Sequence, residues 1–172
     1  MDHSVKEHGA GDRRPATGRT AAPLLRERRD SLMPVVAAAL SLRGGETRTC
    51  AGEKADRAPE LHPLVSAFLD GLPLEQRERF TGRCPEAVLL SQYFAETEAT
   101  RSRRAARRPL TDGDARKALR GARLTTVRIR EEGDPAHGTH QPPCRSCAPL
   151  LAHFGVQIVA LAPSAAPRGR GH

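Results

Sequence analysis

The chain has no tryptophan, one tyrosine and four phenylalanines in 172 residues. So few rings argue against a broad stacking platform for nucleic-acid bases, while leaving room for a pocket that holds one base. Lysine is also scarce: Lys6, Lys54 and Lys117 are the only lysines among 28 basic residues, so arginine carries the positive charge. No run approaches the roughly 18–20 consecutive apolar residues of a membrane span, and the start lacks the apolar segment of a secretory signal. These absences argue against a membrane partner and make the cytoplasm the expected compartment; a non-classical export route would leave no mark in the sequence. Four cysteines are few for a disulfide scaffold. In a reducing compartment they read as metal ligands or reactive thiols; in an exported chain they have three ways to pair.

The length suits one core. Residues 1–30 mix Gly, Pro, Thr and charge without periodicity and read as a flexible basic arm, residues 31–162 as the domain, and residues 163–172 as a disordered tail. The net charge of +8 is uneven. Residues 101–130 hold eleven Arg or Lys against Asp112 and Asp114, and the remainder is close to neutral. Arg101, Arg103, Arg104, Arg107 and Arg108 are candidates for contact with the phosphates of a nucleic acid; the alternative is a solvated loop.

Met33 to Leu42, the Gly44-Gly45 pair and Glu46 to Cys50 predict a strand, a glycine turn and a second strand, although the alanine run also suits a helix. Leu61, Leu64, Val65, Phe68 and Leu69 recur at helical spacing, with Gly71 placed for a left-handed cap. A second helix is expected from Cys84 to Glu98, buried over the wide arc of Val88, Leu89, Leu90, Tyr93 and Phe94. Asp112 to Arg120 predicts a short helix closed by Gly121. Next comes a strand with Thr125, Val127 and Ile129 on its apolar face. A helix ending near Gly155 then leads to the apolar run Val156 to Leu161, a strand expected to be buried on both faces. Strand, helix, strand in this order implies a parallel crossover, and the whole predicts an α/β fold with a mixed sheet flanked by helices.

Cys84-Pro85-Glu86 and Pro142-Pro143-Cys144-Arg145-Ser146-Cys147 carry the chemistry. A C-x-E followed by P-C-x-x-C supplies three thiolates for one Zn²⁺ and a carboxylate beside it, the set a hydrolytic deaminase needs. Residues i and i+2 of a helix point about 200° apart, so Cys84 and Glu86 share a small site only if it lies off the helix N-terminus. Cys144 and Cys147 are one turn apart and suit the same ion. A closed structural site with Cys50 as fourth thiolate, and a thiol redox pair, are the rival readings.

These motifs, with His62-Pro63-Leu64, Thr81-Gly82-Arg83 and Thr126 to Glu131, resemble the YwqJ-like deaminases, a bacterial branch of the zinc-dependent cytidine deaminase superfamily. The likeness covers residues 32–161. It implies a cytidine-deaminase-like sheet of about four strands, here truncated after the fourth. It also implies Cys84, Cys144 and Cys147 as Zn²⁺ ligands, with Glu86 as the proton-shuttling acid. The substrate expected is a nucleobase, a nucleoside or single-stranded nucleic acid. The group's association with toxin systems adds an effector role and an immunity protein as partner. The alternative is a noncatalytic four-cysteine module that binds nucleic acid or another partner. His137, Pro143 and Arg145 flank the second motif as substrate-contact candidates, with His140 beside them; solvated loop positions are the plainer reading. His62 reads as a packing or capping residue, and Tyr93 and Phe94 as core. Pro85 inside the C-x-E and Pro149 in the following helix depart from the pattern expected.

Overall fold

Gly44 and Gly45 adopt φ of +112° and +92°, a backbone open to glycine at no steric cost. They reverse the chain between β1 (Val36–Ser41) and β2 (Thr47–Ala51). The alanine-rich run is therefore a strand and not a helix. The computed structural model describes residues 36–52 and 58–161, so the expected arm and tail lie outside the described residues. Among the described residues four helices follow the hairpin: α1 (Pro63–Asp70), α2 (Pro85–Ala99), α3 (Asp112–Ala118) and α4 (Cys147–His153). Strand β3 (Arg123–Arg128) precedes α4, and β4 (Gln157–Ile158) follows it. The sheet runs β2-β1-β3-β4, with β1 antiparallel to both neighbours and β3 parallel to β4 across α4. This is the mixed sheet with helices that the periodicities predicted.

The core lies on the sheet face that carries Ala38, Leu40, Leu124 and Thr126, all buried. Helix α2 packs across β1 and β2, and α1 and α4 pack against α2. Phe94 of α2 meets Phe154 edge-on at 4.8 Å, and His62 at 5.7 Å. His62 also caps α1: its Nδ1 accepts from the Leu64 N–H, which leaves Nε2 to face Glu98 at 3.2 Å. Tyr93 and Phe94 are core residues as expected, with the Tyr93 hydroxyl donating to the Ala118 carbonyl. No helix among the described residues is long and apolar enough to cross a membrane.

Three local expectations are corrected. The buried phase of β3 is Leu124 and Thr126, not Thr125 and Val127. Leu124 fixes the phase, and Thr126 tolerates complete burial because its hydroxyl donates to the Gln141 carbonyl. Ile129 lies beyond the end of the strand. Strand β4 is not buried on both faces: it sits at the sheet edge, and Ile158 and Leu161 stay 45% and 51% exposed, with Val156 alone reaching the core. Gly71 is right-handed at φ −81°, its N–H bonded to the Ala67 and Phe68 carbonyls; Pro73 then ends the segment, having no N–H to continue it. By contrast, Gly121 and Gly155 close their helices at φ +78° and +73°, as their positions predicted.

Gly82 is the glycine on which the approach to α2 turns. Its φ is +85°, and a Cβ there would stand 3.0 Å from Leu61 Cδ1. Gly82→Ala is expected to destabilise the fold by about 1–2 kcal/mol or more, read as a lower urea midpoint at unchanged m-value.

Candidate metal centre

Cys84 is the N-cap of α2, with extended backbone at φ −70° and ψ 143°, and Pro85 occupies the first helical position. Proline belongs there because its missing N–H would have no partner in the helix. The extended cap also resolves the angular problem of the C-x-E, since Cys84 stands outside the helix while Glu86 lies in its first turn. A Cβ on Gly52 at the end of β2 would come within 3.3 Å of Pro85 Cδ, so glycine lets the hairpin close on this turn.

The second motif arrives along β3. The Arg128 N–H donates to the Thr139 carbonyl, the Gln141 N–H donates to the Thr126 carbonyl, and His140 bridges to Val127. This pairing carries the loop back along the strand and delivers Pro142-Pro143-Cys144 to the start of α4. Cys147 is the first residue of α4, and Pro149 falls within its first turn, where it breaks no helical bond.

The outcome is a group of three sulfurs, those of Cys84, Cys144 and Cys147, all within 4.8 Å of one another. Cys84 Sγ and Cys144 Sγ are 3.5 Å apart. A tetrahedral ion bound to sulfur at about 2.3 Å requires sulfurs about 3.8 Å apart, so the donor set fits a thiophilic divalent cation. Cys147 is completely buried, and Cys84 and Cys144 are half-buried. Cys50 sits on β2 outside this group.

The electrostatics of the cluster follow from its packing. Hydrogen bonds from Cys147 and Cys84, with backbone N–H groups of Cys147 and Ser146, pull Cys144 down to about 2. Its thiolate in turn holds Cys84 up at about 12, and Cys147 is pushed up by the same contact, by Cys84 and by burial. One negative charge is thus stabilised and the next two are opposed, a conflict that a divalent cation removes. Glu86 is 3% exposed, and its Oε2 is buried with no hydrogen-bond partner. Burial foremost, then the charge on Cys144, lifts its carboxyl to about 7 against a backbone hydrogen bond that lowers it.

The other candidates are placed differently. Arg145 binds Glu78 at 3.0 Å and reaches the Glu75 carbonyl, so it ties down the loop before α2. His137 is exposed, with Nδ1 2.8 Å from the Arg130 carbonyl, and neither it nor His140 joins the sulfur group. Pro143 is half-buried beside Cys144. Arg101 folds back on the Ala105 and Arg108 carbonyls. Arg103 is exposed, and Arg104, Arg107 and Arg108 line an open cleft of about 420 Å³. That cleft follows the C-terminus of α2, a helix about 22 Å long, whereas Cys84 and Glu86 are at its N-terminus.

Ser146 went unnoticed in the sequence as a functional residue. It is completely buried between the two cysteines of the second motif. Its Oγ accepts from the Glu78 N–H at 2.8 Å, donates to the Gln76 carbonyl at 3.0 Å and lies 3.2 Å from Thr81 Oγ1. One hydroxyl therefore joins segments 70 residues apart, just ahead of Cys84. The sequence signal is slight: a small hydroxyl residue inside a C-x-x-C.

Two outcomes are expected. Ser146→Ala should weaken binding of a thiophilic divalent cation to the three sulfurs by about 10–100-fold, measured by competition with a chromophoric chelator. In protein stripped of metal, Glu86 has a folded pKa of about 7 against its ordinary 4.5. The neutral acid is the form the fold favours, so its contribution is complete below pH 4.5 and is lost as pH rises through about 7. Urea titrations across that range should show wild type losing stability relative to Glu86→Gln; parallel curves would contradict the burial argument.

No curated protein and no solved structure matches the chain. A family model does: that of the YwqJ-like deaminases matches residues 21–156. The match takes in both cysteine motifs, Glu86 and all of the sheet except β4. With most of its length and its whole candidate metal centre inside that match, the chain belongs to the YwqJ-like deaminase family.

Proposed function

We propose that this protein is a zinc-dependent hydrolytic deaminase acting on a cytosine or adenine moiety. The observation that carries the reading is Glu86: a carboxyl 3% exposed, with Oε2 unpartnered, beside three sulfurs gathered within 4.8 Å. A buried, unsatisfied carboxylate costs stability, and a purely structural ion site has no use for one. A proton acceptor at a reacting centre must instead keep an oxygen free of the protein.

Cys84, Cys144 and Cys147 would hold Zn²⁺, which supplies the Lewis acidity that turns water into a nucleophile near neutral pH. Glu86 accepts the proton of the attacking water at Oε2. Burial holds this carboxyl above the ordinary carboxylate range, which favours its taking up that proton and returning it near neutrality. Glu86 passes that proton to the ring nitrogen as the water oxygen bonds to the amino-bearing carbon, then takes the second proton from the resulting hydroxyl and hands it to the amine; the C–N bond breaks, ammonia leaves and a carbonyl remains. The Ser146 hydroxyl and the Arg145–Glu78 pair hold the two cysteine segments together during this exchange.

Ammonia release and base conversion, followed on cytidine, adenosine and single-stranded DNA and RNA, test the reading. Wild type should convert at least one of them. Glu86→Gln should be slower by about 10²–10⁴-fold at equal Zn²⁺ content by elemental analysis. Cys50→Ser should keep its Zn²⁺ and its activity. Zn²⁺-loaded wild type that converts no base, or loss of the ion in Cys50→Ser, defeats the proposal.

A further inference from the structure

Of the five aromatic residues in the chain, four lie in or against the core: Phe94 and Phe154 buried, Phe68 and Tyr93 packed beside them. Phe80 alone is left in water, 63% exposed. It sits on a turn with little freedom. The Thr81 N–H donates to the Glu78 carbonyl, and the Arg83 N–H donates to the Phe80 carbonyl. On either side of the ring, the Glu78 N–H and the Thr81 hydroxyl are anchored to Ser146 Oγ, between the two cysteines of the second motif. Four residues on is Cys84, so the Cα atoms of Phe80 and Cys84 are at most about 14 Å apart. The guanidinium of Arg79 lies over the Phe80 ring, 5.9 Å from its centre. Arg79 is itself exposed and makes no ion pair among the described residues.

We propose that Phe80 is a base-stacking residue at the mouth of the metal centre. It would take the base next to the reacting one, with Arg79 meeting the phosphate between them. The substrate would then be a single-stranded nucleic acid and not a free nucleoside. This rests on the deaminase reading above. The reacting base must reach Glu86, which is almost wholly buried, whereas the Phe80 ring is mostly open to solvent, so the ring is assigned to the neighbouring base and not to the reacting one. A ring with an arginine alongside is the element that proteins use to hold single strands without reading sequence. A protein partner is the poorer fit: Phe80 and Leu74, the exposed apolar residues of this loop, offer far less than the roughly 800 Å² per side of a stable interface.

The absence of tryptophan provides the test, because Phe80→Trp places a single indole at this position. In a Glu86→Gln background, short labelled single strands of DNA and RNA are titrated while anisotropy and indole emission are followed together. Emission should be quenched in step with strand binding, and should not respond to cytidine or inorganic tripolyphosphate. Phe80→Ala should weaken strand binding about 5–150-fold, and Phe80→Tyr should keep it. Strand binding with unchanged emission, equal binding by Phe80→Ala, or no strand binding at all overturns the assignment. Binding is read here without turnover, so failure of wild type to convert any base would defeat the deaminase reading and leave the stacking result standing.

Discussion

Three thiols held within 4.8 Å of one another cannot ionise together against their mutual repulsion, yet thiolates are what a metal ion needs. The local architecture addresses this conflict. Cys144 is made acidic by its neighbours and by two backbone N–H groups, so the cluster starts with one charge in place. Keeping the sulfurs at that distance requires two loops to stay in register. Ser146 contributes three contacts and the Arg145–Glu78 pair another. At about 1 kcal/mol net for each hydrogen bond and 1–2 kcal/mol of backbone entropy for each ordered residue, these anchors offset the ordering of only a few residues. Apolar burial around Cys147, Leu150 and Leu151 adds to them, and an ion bound to the three sulfurs would couple its own binding to the order of both loops.

Much of this was legible in the residues, and the misses share a cause. The cysteines were found because C-x-E and P-C-x-x-C are spacings with a chemical reason, and α1 and α2 because their apolar residues recur with the helical period. Local turn chemistry located the Gly44-Gly45 reversal and the stops at Gly121 and Gly155. Failures arose where a residue's setting depends on distant chain. The phase of β3 was misread because Thr126 is buried by virtue of the Gln141 carbonyl, 15 residues away. The final strand read as doubly buried from its apolar run, but its place at the sheet edge follows from the strand order. Ser146 has no local signature because all its partners lie 65–70 residues upstream.

The arginines show why charge counting alone said little about contact with nucleic acid. Arg101 and Arg145 are both engaged internally, one closing the loop after α2 and the other holding the loop before it. Arg48 lies over Tyr93 and pairs with Glu46 and Glu96, fastening β2 to α2. Arg103, Arg104, Arg107 and Arg108 remain exposed, at the end of α2 away from the sulfurs. A polyanion meeting them would be gathered by long-range attraction that salt weakens, beyond the end of α2 opposite the one that carries Cys84 and Glu86.

Glu86 separates a catalytic centre from a structural one more sharply than the ligand set does. A closed four-thiolate site would need Cys50, and β2 holds it on the sheet, outside the sulfur group. Three thiolates on a divalent ion leave a net negative charge, against which a neighbouring carboxylate is repelled. Selection for stability alone would replace that carboxyl with an amide or an apolar group, since desolvation already works against its charged form. An acid in such a place, with one oxygen left without any protein partner, is what the proposed proton shuttle would require and what a purely structural ion site would not.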